Sequence, residues 1–484
     1  MILWLPWIPL LAAAVILTIP KEQQRLLRSI AITACALPFL LTLYHLWQFD
    51  LSRTGYQFVQ RYPWLPAFGI QYQAGFDGIN LTFCLLHALV SLAGVFVAAR
   101  TQERPKEFLF YYLILTGSIY GVFTCLDLFF LYLYYEMTLI PLFPMIGIWG
   151  SQNKEYGAMK LTLFITTGAM LALFGLLLLY DKLGLNSFDL ILIQDTLRTE
   201  PLGQTFQQLL APFILVGFGV MASLWPLHSW SPIGYAAAPT AVSMLHAGVL
   251  KKMGPYFIIR VAVSFLPAGT AYWALSLAIL AAIGIVYAGF AAIRQKDMKF
   301  MVGFSSVSHM GYVLLGIATL NLTGLSGAVL LIFSHGVMAA CTFACIGFLY
   351  EQTHVRSLTD YGGLSKQVPF VAICFIMASM ASLGLPGFSN FIAELMVFIG
   401  AWPVYPGLVI LAVLGILITA IYLLRAIQKV CYGPVNPRWN QLRDAQSFAE
   451  RFPFVLLLGA LLLFGFWPNG LLRMIQPALG VLLS

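Results

Sequence analysis

Long uncharged apolar runs, each about the length that spans a bilayer, constrain this 484-residue chain more than any other feature. Residues 269–292 and 405–424 contain no charged side chain at all. About 20 such residues cross the hydrocarbon core as an α-helix. The runs are continuous instead of alternating over ten-residue segments, which argues against a barrel. Spans are predicted near 2–20, 29–48, 79–99, 108–126, 128–149, 157–180, 207–225 (continuing broken to about 235), 238–261, 269–292, 299–319, 323–350, 368–400 (with a break), 405–424 and 453–470. The fold class is therefore an all-α polytopic membrane protein of about 14 transmembrane helices. Only 9% of residues are charged, against roughly 25% in soluble domains. Residues 1–20 lack a basic n-region and a small-residue cleavage site, so they read as a first span and not as a removed signal peptide.

The formal charge of +8 does not point to nucleic acid, because the cations fall in alternate loops. Eighteen of the 26 lysines and arginines lie on one side of the predicted topology and six on the other. The positive-inside rule puts the richer side in the cytoplasm and both termini outside. Arg260 counts among the six. Lys251 and Lys252 belong to neither side and sit within the membrane. The loop 181–206 is long enough for a small amphipathic element. The seven cysteines have no CxxC or Cys/His spacing, so no disulfide, iron–sulfur cluster, haem or metal site is expected.

Two stretches interrupt the apolar runs. The first, Trp225-Pro-Leu-His-Ser-Trp-Ser-Pro, carries Pro226, His228 and Pro232. The second, Ser382-Leu-Gly-Leu-Pro-Gly-Phe-Ser-Asn, carries Pro386. Proline removes a donor and clashes with the preceding turn, so both helices are predicted to break. Broken backbone at membrane depth is tolerated where it is buried in protein or lines a hydrated cavity. Each break falls in the fourth span of a five-span block, and the two blocks run in opposite orientations, a pattern that marks transport paths. The predicted organisation is a three-helix segment (1–107), two inverted five-helix repeats (108–261 and 269–431), and a cytoplasmic loop with a C-terminal helix (432–484).

Ionisable groups inside spans are costly and mark ion paths. Glu136 lies nine residues beyond Asp127, roughly 13 Å into its helix. Glu394 follows the second break. Lys252 lies halfway along its span, too deep to snorkel, and Lys251 points about 100° away from it. His246, His309 and His335 occupy consecutive central spans, and histidine exchanges protons near neutral pH. A relay is the reading for His309 and His335; for His246 packing and relay both stand. His228 is assigned to capping freed carbonyls at the cytoplasmic mouth.

With these residues in view the chain resembles a known family, the antiporter-like M/D-type subunits of respiratory complex I. The resemblance is carried by Gly75-Phe-Asp-Gly-Ile, Tyr135-Glu-Met-Thr-Leu-Ile-Pro, Trp225-Pro-Leu-His-Ser-Trp, Ala238-Pro-Thr, Ala247-Gly-Val-Leu-Lys-Lys-Met-Gly, Phe304-Ser-Ser-Val-Ser-His-Met-Gly, Ser334-His-Gly and Leu385-Pro-Gly-Phe-Ser-Asn-Phe-Ile-Ala-Glu-Leu. It implies a fourteen-helix subunit in the proton-pumping arm of NADH (or ferredoxin):quinone oxidoreductase, holding no redox centre. NADH or ferredoxin, FMN, iron–sulfur clusters and quinone would belong to the parent complex. The partners would be L-, N- and K-type membrane chains in a bacterial inner membrane, or in a thylakoid membrane. By position the resemblance makes Glu136 the fifth-span glutamate, Lys252 the central eighth-span lysine, His309 and His335 relay histidines, and Glu394 the exit-side acid. It departs from the family at Met221, where a lysine is usual, and at Ser231-Pro-Ile-Gly-Tyr, where Leu-Pro-Asp-Ala-His is usual. Lys251, where leucine is commoner, or His246 is the expected substitute charge. The alternatives are an Mrp-type cation/proton antiporter, a membrane-bound hydrogenase subunit, or a structural paralogue that no longer pumps.

Overall fold

In the computed structural model, which describes residues 1–483, eleven helices are long and apolar enough to cross a membrane. The chain begins with α1 (Trp4–Thr18) and α2 (Gln24–Gln48), then a hairpin of β1 (Gln57–Leu65) and β2 (Ile70–Phe76), then α3 (Gly78–Ala98). Next come α4 (Pro105–Thr124), α5 (Leu128–Trp149), α6 (Lys154–Leu183), the short α7 (Leu190–Thr199) and α8 (Gln204–Ala222). After the first break follow α9 (Trp230–Ala237), α10 (Thr240–Gly248) and α11 (Met253–Phe257). The second half holds α12 (Pro267–Arg294), α13 (Met298–Ala318), α14 (Leu322–Thr353), α15 (Leu364–Gln367), α16 (Pro369–Ser382), α17 (Ser389–Ala401) and α18 (Pro406–Cys431). Two further helices, α19 (Phe448–Phe466) and α20 (Asn469–Leu483), complete the described chain.

Three predicted spans do not appear as single long helices. One is α1, of 15 residues. The span at 368–400 is divided into α16 and α17. The span at 238–261 is divided most finely: after α10 it tightens to a 3₁₀ turn at Leu250–Lys252, resumes as α11, then widens to a π-helix at Ile258–Val263. Gly248, Gly254 and Pro255 flank the lysines and weaken regular helix there. Conversely, Pro141 and Pro144 lie inside α5 without interrupting it. Pro232 also departs from its predicted role. It stands in the first turn of α9, where a backbone N–H has no intrahelical partner to lose.

The helix α14 is the axis. Its apolar stretch is wholly buried, and it packs on α3, α10, α13, α16, α17, α19 and α20. Close approach depends on small residues; a Cβ at Gly336 would overlap the carbonyl oxygen of Gly248 on α10. The hairpin was not apparent in the sequence. Gln71 donates from its backbone to Asp127 (3.2 Å) and from its side chain to Asp189 (3.0 Å). Those aspartates cap α5 and α7, and a β-bridge joins them. In the second half Asp297 caps α13 and bridges to Ser357 in the same way.

Arg260, predicted at the outer surface, is buried in the π-helical segment. Its Nη1 and Nη2 lie 2.6 and 2.5 Å from the two oxygens of Asp77, and Tyr56 lies 3.3 Å away. Asp77 also accepts from Ile79 and Asn80 as the cap of α3. This bidentate pair fastens the π-helical segment Ile258–Val263 to the N-terminal end of α3. Arg260→Met would leave a buried carboxylate unpaired and should cost about 3–5 kcal/mol. Thermal unfolding in detergent should show that loss, and adding Asp77→Asn should recover much of it.

Candidate functional site

The second break is built on two glycines. After Ser382 the chain turns at Gly384 (φ +72°) and Gly387 (φ +103°), with Pro386 between them, and re-enters helix at Ser389. Positive φ favours glycine. Gly384 has a further reason: an added Cβ would lie 2.6 Å from Oε2 of Glu394. The turn therefore does two things. It seats the Glu394 carboxyl against bare backbone, and it exposes the Ser382 carbonyl to α13.

His309 occupies that junction. Its Nδ1 lies 2.8 Å from Ser305 O and its Nε2 2.9 Å from Ser382 O. Oε1 of Glu394 stands 3.7 Å from Nε2 and has no hydrogen-bond partner. Both groups are buried. A neutral imidazole donates to only one of the two carbonyls, whereas the doubly protonated ring donates to both. The ring of His335 on α14 is 4.9 Å from that of His309, and its Nδ1 is buried without a partner. His335 is adjacent to Gly336, which rests on α10; Lys252 and Lys251, beyond the end of α10, lie within electrostatic reach of it.

The two lysines divide their roles. Lys252 donates to Ala247 O, capping the end of α10. Lys251 turns the other way, to Ser231 Oγ on α9 (3.1 Å) and Ser306 Oγ on α13 (3.3 Å), above the Tyr235 ring. His246 is packed between Trp230, stacked at 5.4 Å, and Tyr235, edge-on at 5.2 Å. Neither of its nitrogens has a hydrogen-bond partner. His228 lies edge-on to Tyr287. Pro226 is in the turn between α8 and α9, and Met221 is buried near the end of α8.

Glu136 stands apart. It is half-buried on a flank of α5 whose neighbours Leu133 and Ile140 are exposed. Among the described residues no cationic side chain lies within 4.0 Å of it. The geometry thus gathers Lys251, Lys252, His309, His335 and Glu394 in the interior and leaves Glu136 at the lateral surface.

Two further cations, Lys299 and Arg356, belong to the interior. Lys299 Nζ donates to Ala238 O (2.7 Å). Arg356 donates to Ala236 O (2.5 Å) and Ser151 Oγ (3.0 Å), while its Nε holds Asp297 at 2.9 Å. Together they satisfy carbonyls at the end of α9. A cavity of about 780 Å³ opens beside them, lined among others by Arg100, Thr240, Lys299, Glu351 and Glu450. The signal available for Lys299 was its place two residues inside the cap Asp297.

A family model described as NADH:quinone oxidoreductase/Mrp antiporter, TM matches residues 125–419, more than half the chain. The chain belongs to this family. Among its relatives, the NADH-quinone oxidoreductase subunit M of Rickettsia conorii is 34% identical over 474 residues, covering 96% of this chain and 95% of the relative. A chain in the structure of respiratory complex I from Thermus thermophilus with bound NADH superposes with a TM-score of 0.88 at 28% identity, each chain covered in full. A chain of the Mrp complex from Dietzia sp. superposes at 0.86 but at 19% identity, covering 100% of this chain and 97% of that one. That shows the shared fold alone. Within the NADH:quinone oxidoreductase/Mrp antiporter family, the chain therefore stands with the proton-pumping membrane-arm subunits of the oxidoreductase, an enzyme complex.

The Gly384 geometry yields a test of the site. Gly384→Ala forces an L-residue into left-handed backbone, at about 1–2 kcal/mol, and pushes on the Glu394 carboxyl as well. Placed in a Glu394→Ala background, the same change should cost measurably less. Equal penalties in thermal unfolding of the two backgrounds would show that the close approach is not felt.

Proposed function

We propose that this chain moves protons across the membrane for an NADH (or ferredoxin):quinone oxidoreductase, with Lys252, His335, His309 and Glu394 as its relay. The observation that carries this is His309, held between two carbonyls with Glu394 at 3.7 Å and His335 alongside. One proton can reside on the ring or on the carboxyl with little movement of either. In low dielectric each change of charge alters its neighbours' proton affinity strongly. Protons enter from the basic face, where the 780 Å³ cavity reaches Thr240 at the start of α10. Lys252 holds a proton mid-membrane, and Glu394 passes it onward.

Glu136 has a different part. A carboxyl on an apolar flank is costly when it faces lipid, so a neighbouring membrane subunit of the L-, N- or K-type covers it, and its charge couples the two chains. Electron transfer takes place in other subunits, where NADH or ferredoxin, FMN, iron–sulfur clusters and quinone reside. The membrane is a bacterial inner membrane or a thylakoid, with the hairpin face and both termini periplasmic or lumenal. The matched devices of Asp127–Asp189 and Asp297–Ser357 support the reading of 108–261 and 269–431 as inverted repeats. Met221 supports the second reading, a paralogue that no longer pumps.

Lys252→Ala in the reconstituted parent complex separates the two. Proton pumping should fall by about a hundredfold, the scale of removing a positioned proton-transfer group, and electron transfer should slow with it. Pumping and turnover both at the unmodified level would favour the non-pumping paralogue.

A further inference from the structure

Lys251 is wholly buried, and among the described residues no carboxylate lies within 4.0 Å of it. Lys252 and Lys299 each donate to a carbonyl at a helix end, Ala247 O and Ala238 O. Lys251 donates to no carbonyl. Its two hydrogen bonds run to hydroxyls, Ser231 Oγ on the broken helix of the first repeat and Ser306 Oγ on α13 of the second. Hydroxyls both accept and donate, so each can take a proton from one side and release one on the other.

Beyond Ser306 lies an enclosed cavity of about 10 Å³, lined by Ser305, Ser306, His335, Ser379 and Ser382 among others. That is the space of one water, which needs at least two polar partners. Two are available: Ser379 Oγ and His335 Nδ1 are both buried and without a hydrogen-bond partner. Ser305 and Ser382 are the residues whose carbonyls flank His309. The titratable or charged groups within reach of Lys251 are Lys252, His228, His246, His309, His335 and Tyr235. None is an anion, so the lysine's charge has no fixed counter-ion to hold it.

We propose that Lys251 is a second proton carrier, which passes protons from the first repeat to His335 through Ser306 and one water in the adjoining cavity. In the step, an N–H bond of the ammonium breaks and its proton binds Ser306 Oγ. The hydroxyl's own proton leaves to the cavity water, and a water proton passes to His335 Nδ1. One proton has moved and the lysine is a neutral amine; a proton arriving through Ser231 restores the ammonium. This deepens the relay proposed above and rests on it.

The experiment uses the whole parent complex in proteoliposomes, with proton pumping read by an internal pH dye and electron transfer followed in parallel. Lys251→Met should lower pumping about tenfold or more, and Ser306→Ala several-fold, while Ser306→Thr keeps the hydroxyl and restores pumping. Full pumping by Lys251→Met and Ser306→Ala, with Lys252→Ala inactive, would overturn the role of Lys251 and leave the main relay standing. Full pumping by Lys252→Ala as well would overturn the relay itself. Should Lys251→Met fail to assemble, the contrast between Ser306→Ala and Ser306→Thr decides, because a purely structural serine gives no such difference in pumping at equal assembly.

Discussion

A backbone carbonyl freed inside an apolar medium has no water to bond, and each one left bare costs several kcal/mol. This chain breaks its helices repeatedly at depth, so it must supply donors there. It does so with ionisable side chains. Lys252 caps α10, Lys299 and Arg356 cap α9, and His309 meets the end of α16. Trp230 Nε1 does the same for Val220 on α8. Some titratable groups thus also hold the breaks together, Lys252, Lys299 and His309 among them, whereas Lys251, His335 and Glu394 cap no helix end.

The same constraint sets which half of the molecule supports which. The carbonyls at the end of α9, in the first half of the chain, are satisfied from α13 and the loop after α14, in the second half. The Asp77–Arg260 pair fastens the π-helical segment to the start of α3 across 183 residues of sequence. The first half therefore does not carry its own complete set of donors, whereas His309 serves the break of its own half. Removing the Lys299 or Arg356 cap would loosen a break in the other half, so the first break depends on both halves of the bundle.

Much of this was legible in the sequence, and the reasons for the rest are physical. Apolar runs gave the long helices, and the breaks at 223–229 and 383–388 fall on the two Pro-rich stretches. Proline alone was a poor guide, since Pro141 and Pro144 leave α5 intact and Pro232 starts a helix. Each removes only one donor, and neighbouring helices can absorb that loss. The lysine segment breaks between glycines, a weak signal in a chain with 41 of them. The buried contacts of Arg260, Lys299 and Arg356 are not legible in the sequence because their partners are distant in sequence or are backbone carbonyls, which carry no residue signature. The hairpin was hidden because β1 does not alternate: Phe58 and Val59 are adjacent apolar residues and Gln60 and Arg61 adjacent polar ones. Of the candidate residues, Lys252, His309, His335 and Glu394 converge, whereas Glu136 faces outward, which no spacing rule predicts.

Capping and titration by the same groups have unequal consequences. A lysine that loses its proton still has two N–H bonds, so Lys252 can go on donating to Ala247 O as a neutral amine. Its break survives either charge state. His309 has no such reserve. Protonated, it satisfies Ser305 O and Ser382 O together; neutral, it must release one of them in a site without bulk water. Proton loss at His309 therefore gives up one of these contacts, either the extra one to Ser305 in its own helix or the one to the end of α16, the segment that leads through Gly384 to Glu394. A proton moving to Glu394 gives that acid an O–H donor beside the bare backbone of the turn. The two events fall on opposite ends of one six-residue break, Leu383 to Phe388. The second break is thus the part of this fold whose hydrogen bonding must change when a proton passes, while the lysine break can stay as it is.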